Sequence, residues 1–157
     1  MDAVEVDWKN TISWDGLETS NNPYLDRHGF YVLFAGKWDA SESQWVNINL
    51  LYVGKAYDQT LRKRIKQPHQ GYDCVSKWLS ENPGYTLLVM VGVITRAPGG
   101  HVSNQLVDDA ECCLIFTNQP HCNELCKGSY TGRDLLIANT GSYLPLKQSS
   151  RCSPYQQ

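Results

Sequence analysis

The sequence predicts one α/β (α+β) domain, a small and mainly antiparallel sheet flanked by helices. Three observations carry that expectation. Two aromatic and β-branched segments, "GFYVLFAG" at 29–36 and "WVNINLLYVG" at 45–54, flank the polar stretch "KWDASESQ" and read as the arms of a long antiparallel hairpin. The run "YTLLVMVGVI" at 85–94 is apolar throughout, as expected of a strand covered on both faces in the middle of a sheet. Segments with helical spacing lie between and after these, in the order strand, strand, helix, helix, strand, helix.

The bulk numbers agree. A chain of 157 residues, 41% hydrophobic and 19% charged, has the size and composition of one globular domain and not of a disordered or collagen-like chain. The run 85–94 is half of the roughly 20 residues a membrane-spanning helix needs, so no membrane partner is expected. The opening "MDAVEVDWKN" is acidic and lacks the apolar stretch of a secretory leader, which makes the cytoplasm the expected compartment.

In chain order, residues 1–27 read as an acidic extension packed on the domain, with Trp8 and Trp14 embedded and a break at "NNP". Residues 28–124 form the core, and 125–157 a C-terminal extension completing the same domain. Asp58 is the expected N-cap of a helix over "QTLRKRIKQ", in which Leu61 and Ile65 share a face and which Pro68 closes. A second helix over 73–81 sets Val75, Trp78 and Leu79 on one side. Ser103 caps a third, running to about Thr117, with Leu106, Ala110, Cys113 and Leu114 inward. Beyond Pro120 the chain reads as irregular, except for "DLLIAN" at 134–139, an expected edge strand.

The six cysteines, at 74, 112, 113, 122, 126 and 152, are expected as free thiols acting as small hydrophobes. Zinc is the rival reading, built on Cys122 and Cys126 with Cys112, Cys113, His121 and Cys152 as further donors. No paired C-x-x-C supports it, and adjacent cysteines on a helix diverge.

Net charge is −2, but its distribution is uneven. Residues 1–52 carry three basic and eight acidic side chains, and 53–107 carry seven and three. Lys55, Arg62, Lys63, Arg64 and Lys66 fall within twelve residues, a patch able to meet phosphates at short range. A solvated helix face is the plain alternative.

The stretch "AECCLIFTNQPHCN" at 110–123 places an acidic residue among apolar ones and closes on Asn123. Taken with Gly29-Phe30-Tyr31, Tyr52-Val53-Gly54 and the arginine helix that follows, it resembles the GIY-YIG nuclease family. "YVGKA" at 52–56 and the pattern E-x-x-L-I-x-x-x-x-P-x-x-N at 111–123 are most similar to the nuclease domain of the UvrC repair protein. The resemblance spans about residues 28–124. Two departures stand out: the tyrosines are 21 residues apart, about twice the spacing of compact members, and the arginine comes two positions late. The extra length falls in the hairpin loop, where insertion costs little. Leu61 and Ile65 bracket Arg64 as the family pattern brackets its arginine, which selects Arg64 and leaves Arg62 as a phosphate contact.

Phosphodiester hydrolysis needs a proton acceptor for water, positive charge on the phosphoryl oxygens and a Lewis acid near the leaving oxygen. Glu111, read as the sole carboxylate on its helix placed to reach the hairpin, suits one Mg²⁺ or Mn²⁺. Arg64 offers a permanently charged fork. The resemblance implies Tyr31 as general base with Tyr52 supporting, although a tyrosine near its ordinary pKa of about 10 is a poor base. Lys55 is placed to supply a cation or hold a phosphate, beside Arg62, Lys63 and Lys66 as nucleic-acid contacts. Asn123 is expected to lock its segment to the hairpin. His69 is an assisting candidate, five residues after Arg64 with Pro68 where some family members carry a histidine. The expected partner is nucleic acid, DNA ahead of RNA, with a homodimer, a partner or the hairpin loop providing any specificity. The alternative is an inactive nucleic-acid-binding module using the basic helix 61–66.

Overall fold

The computed structural model describes residues 1–154, so the last three residues of the expected C-terminal extension lie outside the described residues. Within them, a six-stranded mixed sheet is covered by helices on both faces. Its strands are β1 (Asp2–Ser13), β2 (Gly29–Asp39), β3 (Gln44–Ala56), β4 (Thr86–Arg96), β5 (Leu135–Gly141) and β6 (Ser149–Cys152), in the order β3-β2-β4-β1-β5-β6. All neighbours are antiparallel except β1 and β5. Among the described residues no helix is long and apolar enough to cross a membrane.

Alternation along β2 builds both cores. Phe30, Val32 and Phe34 face the helix α3 (Asn104–Asn118), whose Leu106, Ala110, Cys113 and Leu114 are buried against them. Tyr31, Leu33 and Ala35 face the other way, onto α1 (Leu61–Ile65) and α2 (Gln70–Glu81) through Leu61, Ile65 and Val75. β4, interior as its apolar run predicts, alternates in step: Leu88 and Met90 join the first core, Val89, Val91 and Val93 the second.

Several expectations are corrected. The polar N-terminal segment is not merely packed on the domain: it contributes β1, which lies between β4 and β5. Val4, Val6 and Trp8 are buried while their neighbours reach solvent, and Trp8 donates its indole N–H to Asn139 Oδ1 at 2.9 Å. The period-two alternation of "VEVDW" at 4–8 was the available signal, although the acidic charge of the segment suggests an extension. The hairpin turn is shorter than "KWDASESQ" suggests, because Trp38 pairs with Trp45 across the ladder and their rings stack edge to face. β5 is not an edge strand, since β6 pairs outside it. Thr60, not Asp58, caps α1, its side chain accepting from the Lys63 amide. α2 begins three residues earlier than 73, with His69 as its N-cap. Ser103 caps α3 as expected.

The six cysteines are not free thiols. Cys74 pairs with Cys122, Cys112 with Cys126 and Cys113 with Cys152. The divergence of Cys112 and Cys113 on α3 sends one towards the 122–126 loop and the other towards β6.

Candidate active site

One edge of the sheet is β3, and its treatment builds the site. An uncovered edge offers unpaired backbone groups, which proteins usually block. Here the chain leaving α3 passes along that edge: the His121 amide donates to Leu50 O and the Cys122 amide to Leu51 O. Asn123 completes the cover as a side-chain mimic of a strand, accepting from the Val53 amide and donating to the Val53 carbonyl, both at 2.9 Å. A register shift between Leu33 and Phe34 leaves Leu51 as an extra residue on β3, so that Leu51 and Tyr52 both lean towards the α1/α2 face.

The passage brings α3, from one face, against residues of α1 and α2, from the other. Between them lies a cavity of about 790 Å³, lined among others by Tyr52, Lys55, Arg64, His69, Glu111 and Asn123. Tyr31 does not line it. Its ring lies over Gly54, where a Cβ would overlap the phenol, and its side chain is fully buried. Its Oη is 3.4 Å from His69 Nε2. Because His69 Nδ1 accepts the Gly71 amide at 3.1 Å, the neutral ring carries its proton on Nε2 and donates towards Tyr31. The rings of Tyr52 and His69 are 4.9 Å apart and those of His69 and Tyr72 3.9 Å, a packed aromatic wall.

Charge in the cavity is tightly balanced. Lys55 Nζ bonds Asp108 and lies 3.8 Å from Glu111 Oε1. Burial lowers the ammonium of Lys55, but its hydrogen bond to Asp108 and the field of Glu111 outweigh that and raise it. Burial pushes Glu111 up to about 7, against the opposing pull of Lys55. Burial also raises both phenols well above 10, with Tyr72 adding to the effect on Tyr31 and Tyr31 to that on Tyr52. His69 is lowered by burial and then by Arg64, so its ring is neutral at pH 7.

The expected nucleic-acid contacts divide. Arg62 is corrected from a phosphate contact to a structural clamp: it bonds Asp26 through Nε and Nη2, and the carbonyls of Leu17, Glu18 and Ser20. Its guanidinium is occupied because the segment between the turns at 14–16 and 23–26 presents the carbonyls of Leu17, Glu18 and Ser20 to α1, beside the Asp26 carboxylate. Lys66 lies over the Trp14 ring at 4.4 Å, and Lys63 is exposed. Arg64 alone of the two arginines faces the cavity, its Nη1 3.4 Å from Gln67 Oε1.

Three participants were missed from the sequence. Asp108 precedes Glu111 by one helical turn, so Glu111 is not the sole carboxylate there; the i, i+3 spacing was the available signal. Tyr72 donates to the Ile65 carbonyl and touches His69, but lay in a presumed loop. Cys74, left out of the zinc alternative, lines the cavity with Cys122, whereas Cys113 and Cys152 join α3 to β6 on its far side. One or two carboxylates, with water and phosphate oxygens for the remainder, are the donors a hard divalent cation takes, and Glu111 with Asp108 fits that set.

No protein-family model matches the chain, and no curated protein and no solved structure is significantly similar to it.

Proposed function

We propose that the chain is a metal-dependent nuclease of the GIY-YIG type that hydrolyses phosphodiester bonds, acting on DNA ahead of RNA. What supports this reading is one observation: Tyr52, Arg64, His69, Glu111 and Asn123, singled out by residue type and order in distant segments, line a single cavity, with the Tyr31 hydroxyl against His69 behind it.

In this reading Glu111 holds Mg²⁺ or Mn²⁺, with Asp108 able to join once a substrate phosphate draws Lys55 away. The bound cation would polarise the leaving oxygen and neutralise developing charge. Arg64 binds a non-bridging phosphate oxygen. The general-base role expected of Tyr31 does not fit its place: its buried phenol sits behind His69 and does not reach the attacking water. Tyr52, on the cavity wall, orients that water, and burial makes its phenol a base only where Arg64 and a bound cation would hold the anion. Asn123 keeps the edge of the site closed.

A binding-only module built on the basic helix is disfavoured by the loss of Arg62 to an internal clamp. The discriminating experiment is cleavage of supercoiled plasmid and of structured RNA with Mg²⁺ or Mn²⁺, by the wild type, Glu111→Gln and Arg64→Ala. Nicking by the wild type alone is expected. Intact substrates throughout, or cutting unchanged in Glu111→Gln, would sink the proposal. The hairpin tip, with Trp38 exposed beside Trp45, is the surface best placed for specificity, alone or with a second copy or partner. The cytoplasm was the expected compartment; the pairing of the six cysteines favours an oxidising one instead.

A further inference from the structure

Cys74, His121 and Cys122 bring their ligand atoms within 4.8 Å of one another on the wall of the cavity. They come from two segments, α2 and the edge-covering strap, and in the oxidised protein the two sulfurs are bonded to each other. The Cα atoms of the two cysteines are 5.6 Å apart. A tetrahedral zinc ion with sulfurs at about 2.3 Å and an imidazole nitrogen at about 2.0 Å separates its ligand atoms by about 3.5–3.8 Å. Parting the sulfurs by that much is within reach of χ1 rotation alone. The imidazole is already at hand: His121 is exposed, and its backbone amide is fixed by Leu50 O.

We infer that the reduced protein, wherever it meets a reductant, holds a soft divalent cation such as Zn²⁺ on Cys74, Cys122 and His121, with the fourth position open to cavity solvent. The chemistry balances. A dithiol reductant gives two electrons and two protons to the Cys74–Cys122 bond and leaves as its own disulfide; the two thiols then release two protons as Zn²⁺ binds both thiolates. The same two segments are therefore bridged in either state. Cys122 adjoins Asn123, which clamps Val53, and Cys74 lies one turn beyond the His69 cap and the Gly71 amide that orients its ring. The bridge thus keeps the cavity wall in place under oxidising conditions as a disulfide and under reducing conditions as a metal site. The inference is independent of the nuclease reading, since it concerns three soft ligands to which that reading gives no role.

The test is a titration of phosphine-reduced protein with Co²⁺ under anaerobic conditions, followed by thiolate-to-cobalt charge transfer and the visible bands of tetrahedral cobalt, with circular dichroism to monitor the fold. One equivalent should bind with these signatures in the reduced wild type and none in the oxidised protein. Zn²⁺ should bleach the bands. His121→Ala, a substitution at an exposed side chain, should weaken binding at least tenfold, and Cys74→Ser with Cys122→Ser should abolish the signal. The inference fails if the reduced wild type gives no such bands, if reduction unfolds it, or if His121→Ala binds Co²⁺ unchanged. It fails equally if the spectrum persists in a folded double variant, because the remaining cysteines would then be the ligands.

Discussion

At the scale of single residues, Glu111 and Asn123 carry the most testable chemistry. Glu111 titrates near 7 against about 4.5 in an unfolded chain, because the folded protein buries it. Between those values the folded state binds more protons than the unfolded one, so this group's contribution to stability falls as pH rises from 4.5 to 7. The full difference is on the order of 3 kcal/mol. Glu111→Gln should therefore raise Tm relative to wild type at pH 8 in EDTA and flatten the pH dependence; equal Tm at pH 5 and pH 8 in both proteins would contradict this. Protons compete with a cation for the same carboxylate. Cleavage should accordingly rise with pH through an acidic limb near 7, and the limb should move lower as Mg²⁺ is increased. Asn123→Ala leaves the Val53 amide and carbonyl without partners in a buried place, a loss of about 2–4 kcal/mol readable by urea unfolding.

The short helix α1 sends two arginines in different directions although they lie two residues apart. Arg62 points back to the turns at 14–16 and 23–26 and holds them to the helix, whereas Arg64 faces the cavity. Arg62→Ala should lower Tm by several degrees, equivalent to about 1–2 kcal/mol for partly exposed bonds to charged groups, and leave kcat close to wild type. Arg64→Ala should do the reverse, cutting kcat by a hundredfold or more at nearly unchanged Tm. A variant pair with the opposite pattern would overturn the proposed role of Arg64. The strap at 121–123 is the other element on which the site depends, since it closes the β3 edge with two backbone bonds and one side chain.

Over the whole molecule, the disulfides gather around α3 and the strap. Cys74–Cys122 spans 48 residues in sequence, and closing a loop of that length restricts the unfolded chain by roughly 4 kcal/mol at most. Melting with and without a phosphine reductant should show a clear fall in Tm on reduction, partly reversed by stoichiometric Zn²⁺. Identical melts would mean that the cross-links do not restrain the unfolded chain. The N-terminal strand makes a comparable contribution from the opposite end of the chain. β1 lies between β4 and β5, so deleting residues 1–13 should abolish folding outright and not merely trim an extension.

Local pattern was enough for the hairpin, the buried β4, the Ser103 cap and the inward face of α3, because each depends on alternation or helical spacing within a dozen residues. Register picked out Arg64, which lines the cavity where Arg62 does not, and residue type picked out the clamp by Asn123. β1 was not read as a strand, although Val4, Val6 and Trp8 alternate with acidic residues, because the charge of the segment suggested an extension and only its pairing with β4 and β5 places it inside the sheet. Nor was the pairing of the cysteines, which are brought together from separate elements, nor the burial that moves Glu111 towards neutrality and shuts Tyr31 away from the cavity. Those properties belong to the approach of segments remote in the chain, and dielectric and distance exist only once the sheet has placed them.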